Sequence, residues 1–251
     1  PERSERPERP EKPDKKDPPA PDAGPRRSTV PIHGMGTGFG SLVFWRVAPW
    51  ATMSQATFLS IQGLWAGPWL REVAGLSRAD AAAVLLWVAA AMVAGFIFMG
   101  TAAERLSRRG IPPMAVAGAG MGIFMAVLLV VILSGMPLGS GISEILPGPG
   151  SPFLWALFGF FGTSGILPYA VLTQRFPARL AGRGNTALNL LVFVAAFAAQ
   201  WGMGEIIEFW QGRPLRPGGG YPAAFGVMLA LQAAALLWFG AAGRRSRGAA
   251  G

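Results

Sequence analysis

Few side chains in this sequence are equipped for covalent or acid–base chemistry. There is no cysteine, so thiolate nucleophiles, disulfides and Cys-ligated metals are excluded. The one histidine, His33, stands in a polar N-terminal region without companion ligands and reads as a solvated or interfacial imidazole. Pairs of carboxylates that could run general acid/base chemistry do not stand inside the apolar stretches, although Glu205 lies within one, near its outer end. No catalytic residue, metal site or cofactor is expected, which disfavours a membrane enzyme. What the apolar stretches do hold is neutral hydrogen-bonding groups at helical spacing. One carries Gln55, Thr57, Ser60 and Gln62, with Gln55 and Gln62 seven residues apart and so on one helical face. A second carries Thr163, Ser164, Tyr169, Thr173 and Gln174. In a third, Asn185 and Asn189 are one turn apart, and Gln200 returns to nearly the same face. A polar group facing lipid is costly, so these faces look inward or at water.

The elements that carry them are long. Of 251 residues 51% are hydrophobic and only 14% charged, too apolar a balance for an ordinary soluble domain. A bilayer core of about 30 Å needs roughly 20 apolar residues per helix. Six stretches meet that requirement, at 48–70, 79–103, 112–136, 152–173, 184–206 and 222–242. The spacing predicts an all-α polytopic membrane protein with a six-helix domain over 48–242. Residues 1–34 are Pro-rich, mixed in charge and almost free of apolar side chains, the composition of a disordered tether. Residues 35–47 read as a short segment in the membrane interface, and 243–251 as a basic tail. Pro1 at the start, with no signal segment, reads as a piece of a longer chain.

The net charge of +9 sits mainly in loops. Sorted by alternation, 18 basic residues fall on the side of the N-terminal tail and 4 on the other. The positive-inside rule then places both termini in the cytoplasm and gives the charge a membrane rather than a nucleic-acid explanation. Spans three and six, with Ser134 and Gln232 as their polar side chains, are free to face lipid. Gly118-Ala-Gly120-Met-Gly122 lies inside an apolar span with no soluble strand before it, so Gly118 and Gly122 read as a helix-packing face and not a dinucleotide loop. Gly159, Gly162, Gly165 and Pro168 in span four suit either close packing or bending.

Between spans two and three stands a basic turn, Gly100-Thr-Ala-Ala-Glu104-Arg105-Leu-Ser107-Arg108-Arg109-Gly110. Gly100, Glu104, Arg105, Arg108 and Arg109 fall in the register of a signature that transporters of the major facilitator superfamily carry between the second and third helices of each half. Glu104 stands for the usual Asp and Ser107 for a Gly. The segment from Gln174 to Asn189, with Arg175, Arg179 and Arg183, resembles the loop and helix start between the family's tenth and eleventh helices. Over about residues 40–242 the chain therefore resembles the C-terminal half of such a transporter, helices seven to twelve.

The resemblance implies a half bundle of two inverted three-helix repeats that works by alternating access. The first, second, fourth and fifth helices would line the path and the third and sixth would lie at the lipid edge. Gln55, Gln62, Trp65, Trp87, Tyr169, Asn189 and Gln200 become the candidates for that path. The basic turn becomes a cytoplasmic latch, with Arg175, Arg179 and Arg183 as a second cytoplasmic basic loop. The implied partners are the lipid bilayer, the missing N-terminal half and an unspecified small solute, with no nucleic acid. The implied location is a bacterial inner membrane. The competing reading is a non-transporting scaffold or assembly factor on the same fold.

Overall fold

The computed structural model describes residues 42–136, 147–175, 178–211 and 219–248; side chains at 42–43, 172–181, 183 and 242–248 lie outside that set. The described residues form eight α-helices: α1 Leu42–Ser60, α2 Ala66–Glu72, α3 Arg78–Ser107, α4 Pro113–Ser134, α5 Pro152–Gly162, α6 Leu167–Arg175, α7 Ala178–Gln211 and α8 Gly220–Gly248. A π-helical turn, Ile61–Trp65, joins α1 to α2, and a 3-10 turn, Thr163–Ile166, joins α5 to α6. The tail at 1–34 and the imidazole of His33 lie outside the described residues. So do 35–41, while 42–47 are the first turns of α1.

Local chemistry sets the helix ends. Ser77 caps α3: the Asp80 backbone N–H donates to Ser77 Oγ, whose hydroxyl donates to the Asp80 carboxylate at 2.7 Å. Proline opens α4 and α5, where a missing N–H leaves no helical bond unmade. Gly110, at φ +83°, closes the turn after α3. Most of the sequence-read basic turn is in fact helix. Gly100 to Ser107 are the last turns of α3, and only Arg108 to Gly110 form the turn.

Five helical segments among the described residues are long and apolar enough to cross a membrane: Arg78–Ser107, Pro113–Ser134, Pro152–Val171, Gly184–Gln211 and Gly220–Ala241. The stretch read as the first span is helical from Leu42 to Glu72 but is not among the five. Its Arg46, Ser54, Gln55 and Ser60 lower its hydropathy, and the π turn divides it.

Packing partners exchange between the first and last parts of the chain. Helix α1 packs on α7 and α8, whereas α5 packs on α3 and α4. Helices α3 and α4 also touch each other, as do α7 and α8, and α4 meets α8. The α3–α5 crossing is close enough that a Cβ at Gly159 would lie 2.6 Å from the Val88 carbonyl oxygen, and one at Gly95 would lie 2.5 Å from that of Phe160. Gly162 faces the Phe58 ring and Gly165 the Gln55 side chain, so the glycines of span four are packing positions. In α4 the packing glycine is Gly120, whose Cβ would lie 2.6 Å from that of Ser164. Gly122 has open space around it and Gly118 an ordinary contact with Trp50, which corrects the face read from the sequence.

Spans three and six each keep an exposed apolar side, with Ile123 and Leu129 on α4 and Leu231, Leu237 and Trp238 on α8. Half of the most apolar window of α4 is buried in the bundle, and Gln232 of α8 is 2% exposed. Lack of polar groups permits lipid contact but does not demand it, because an apolar helix is equally suited to a core. Large apolar side chains also face outward on α3, with Leu86, Trp87, Val93, Ile97 and Phe98, and on α7, with Phe193, Phe197 and Trp201.

Pro49 lies inside α1 and cannot supply the N–H that the Trp45 carbonyl would receive in an unbroken helix. The Trp238 indole of α8 donates to that carbonyl at 3.0 Å. Nearby, Phe239 stacks on Trp50 with centroids 4.6 Å apart, and the Arg46 guanidinium lies 5.0 Å from the Phe239 ring centre. At the other end the Trp69 and Trp155 indoles both donate to the Pro149 carbonyl, at 3.3 and 2.9 Å. These indoles tie both ends of the bundle by polar contacts that an apolar surrounding makes strong.

Candidate functional site

The π turn is the feature that builds the site. It widens the helix at Ile61–Trp65, so the 3.6-residue register that put Gln55 and Gln62 on one face does not run through it. Gln55 ends against Gly165 of the 3-10 turn, with its Oε1 buried, whereas Gln62 is half-buried in the π turn beside the exposed Gly63 and Leu64. Trp65 closes the turn, and its indole N–H donates to the Gln200 carbonyl of α7 at 3.2 Å. The Gln200 amide nitrogen lies near Gly63. Ser60 donates to the Ala196 carbonyl at 3.0 Å, a second tie between the same helices.

The structure thus brings Gln62, Trp65 and Gln200 into one region. Asn189 is exposed on α7, at the start of a stripe that continues at steps of four and then three residues through Phe193, Phe197, Trp201, Glu205 and Glu208. Tyr169 of α6 packs beside Phe44, Ala48 and Leu188 toward the opposite end of the bundle. Trp87 is 60% exposed on the outward face of α3, apart from the others.

Where α2, α7 and α8 converge, the Trp65 region opens into a cavity of about 570 Å³. Glu72, Trp201, Glu205, Glu208 and Tyr221 line it together with Trp65 and Gln200. Its aromatic wall is held in place: Tyr221 meets Trp65 edge-on at 6.2 Å and Trp69 at the same distance, and Trp69 stacks on Phe225 at 4.8 Å. Gly204 gives room for the Trp65 ring. Sequence reading missed Glu72, Glu208, Trp201 and Tyr221. A signal was present in Glu205 and Glu208, three residues apart and so on one face of a helix, but α7 continues beyond 206, where the apolar stretch ended. A second cavity of about 270 Å³, between α1, α7 and α8, is lined by apolar residues such as Met53, Ala199, Met203 and Met228 and offers no hydrogen-bonding chemistry.

In the basic segment after span two, Arg108 bonds Glu104 at 2.6 Å, an i,i+4 pair exposed on both sides. Arg105 and Arg109 are exposed, and Gly100 has open space around it. Arg175 ends α6 and Arg179 and Arg183 lie in the first turns of α7; none of their side chains is among those described, and 176–177 lie outside the described residues. No group of three His, Cys, Asp or Glu side chains that could hold a metal ion occurs among the described residues.

Five helical segments long and apolar enough to cross a membrane are the mark of an integral membrane protein. Residues 3–200 match the Major Facilitator Superfamily, and the chain belongs to that family. The match begins nearer the N-terminus than the motif-based resemblance and stops within α7. No curated protein matches the chain.

Proposed function

We propose that the chain is the C-terminal six-helix half of a secondary transporter that moves a small solute by alternating access, with both termini cytoplasmic. The exchange of packing partners carries this reading. If Leu42–Glu72 counts as a span, then α1 with the last two spans mirrors α5–α6 with the second and third, the arrangement two inverted three-helix repeats produce. The two broken spans, one with the π turn and one with the 3-10 turn, occupy equivalent places in that scheme. Irregular backbone at membrane depth is tolerated where protein or a water-filled cavity receives it.

On this reading the α7 stripe and the π turn face the path, and a first half covers the outward faces of α3 and α7. Gln62, Trp65 and Gln200 are the path residues this geometry favours; Gln55 and Tyr169 serve helix contacts. Arg105 and Arg109, exposed beside the Glu104–Arg108 pair, supply the charges of the cytoplasmic latch.

Because the chain has no cysteine, single cysteines can be introduced without background. In intact cells an impermeant maleimide should label Glu72→Cys and Gln211→Cys but spare Arg109→Cys. Labelling of Arg109→Cys from outside would sink the orientation. For transport, cells expressing the coding region with and without a deletion of Leu42–Gln211 are compared for uptake or efflux of a panel of radiolabelled small solutes. Identical flux across a panel of broad chemistry would favour the scaffold reading.

A further inference from the structure

We propose that the seam between α1 and α8 holds one anionic phospholipid, its phosphate on Arg46 and the end of one acyl chain in the apolar cavity between α1, α7 and α8. That cavity, of about 270 Å³, is walled by side chains such as Met53, Ala199, Gly202 and Met228. A water molecule needs two or more polar partners, which such walls do not offer. Val227 and Leu231 also line it and are exposed, so it opens sideways on the bundle surface, where a membrane helix meets hydrocarbon. An acyl chain gains no hydrophobic free energy by entering, because it leaves one apolar medium for another. It gains dispersion contacts, which the walls of a void lack. The methionines at 53, 203 and 228 adapt to the irregular shape of a lipid tail.

From the cavity an exposed apolar stripe runs along α8 through Val227, Leu231, Ala234 and Trp238, at the four- and three-residue steps of one helix face. The stripe rises about 16 Å, close to the roughly 15 Å that one leaflet of a bilayer core spans. A lipid anchored at the Trp238 end therefore reaches the cavity with its tail. Trp238 stands near the end of the apolar span Gly220–Ala241, and its neighbour Phe239 has the Arg46 guanidinium 5.0 Å from its ring centre. The cation is thus at headgroup depth, flanked by the exposed rings of Trp45 and Trp238. Contact with a ring uses no N–H, and Arg46 Nε is buried without a hydrogen-bond partner. A phosphate takes guanidinium donors in pairs, and an unmade buried donor is costly. Arg46 and Met53 are seven residues apart and share a face of α1, so cation and cavity lie on the same side of the seam. A zwitterionic headgroup would bring its own ammonium beside Arg46, whereas an anionic one does not.

The site requires only that the chain lies in a bilayer, and so stands independently of transport. The complete chain is purified in detergent, and native mass spectrometry counts the lipids it retains as long-chain phosphatidylglycerol, long-chain phosphatidylcholine or dihexanoyl phosphatidylglycerol is added. One long-chain phosphatidylglycerol should bind about tenfold more tightly than any further copy and than phosphatidylcholine. Arg46→Gln should lose that tenfold, the size of one charge-assisted contact, and bring the two headgroups level; Arg46→Lys should keep part of the preference. Gly202→Leu fills the cavity from a position whose Cβ meets nothing within 4 Å, so it should weaken the long-chain lipid severalfold and leave the dihexanoyl lipid unchanged. Gly226→Leu, equally open but not part of the cavity wall, should match wild type. Thermal melts in the same detergent check that each variant is folded. Equal affinity for the two long-chain headgroups in wild type, or wild-type affinity in Arg46→Gln, overturns the proposal. So does wild-type affinity in Gly202→Leu, or a dihexanoyl lipid that binds as tightly as the long-chain one, either of which would reduce the site to an anion contact.

Discussion

Replacing Gly159 by alanine tests one of the two close backbone contacts of the α3–α5 crossing. The new methyl would lie 2.6 Å from the Val88 carbonyl oxygen and 3.0 Å from Val88 Cγ1, whereas ordinary contact begins at 3.4 Å. The two backbones must therefore separate by about 0.8 Å at this point, the difference between those distances. Neither side can yield by a rotamer change, because the nearest atom belongs to the α3 main chain. Overpacking of this kind costs about 1–3 kcal/mol, and the better helix propensity of alanine returns up to about 1 kcal/mol.

Gly122→Ala supplies the control, since it lies within α4 with open space around it and gains the propensity alone. The propensity gain is common to both variants, so the difference between them isolates the crossing contact at about 1–3 kcal/mol. Purified protein in detergent is heated and followed by tryptophan fluorescence, where roughly 2–4 °C per kcal/mol is expected for a chain of this size. Gly159→Ala melting level with Gly122→Ala would refute the close α3–α5 approach and with it the rigid unit that rocking of halves requires.

Trp238→Phe keeps the ring but removes the donor to the Trp45 carbonyl, and should lower stability by about 1 kcal/mol in the same melt. Glu104→Gln should change the melting temperature little, since an exposed i,i+4 pair contributes at most about 0.5 kcal/mol; a large loss would give the pair a role beyond the surface. Arg105→Gln should instead shift maleimide labelling of a cysteine at Gln62 if the basic segment biases one access state, and equal labelling would count against the latch. Gln62→Ala should raise KM for the transported solute, and an unchanged KM would remove it from the path.

The positions of the long helices were legible from hydropathy, because a bilayer imposes a minimum apolar length that few other folds need. The basic segment after span two was legible as well, since its residues form a linear motif. Facing was not. Gln55 and Gln62 were assigned one face by assuming an unbroken helix, and the π turn at Ile61–Trp65, which no residue type announces, changes the register between them. Apolar α4 was read as free to face lipid, yet an apolar helix is equally at home in a core, and only its neighbours α3, α5 and α8 decide which side is buried. Gly118 and Gly122 fitted a packing motif, but Gly120 between them makes the close contact, because helix rotation is set by the partner's shape.

The cavity belongs wholly to tertiary structure. Glu72, Gln200, Glu205 and Tyr221 are scattered over some 150 positions and meet because α2, α7 and α8 end together. What the sequence determined by itself was the class of protein, through the cost of placing polar backbone and charge in hydrocarbon. Which side chains meet was decided by how the helices rotate and where they break, and those depend on contacts between residues far apart in the chain.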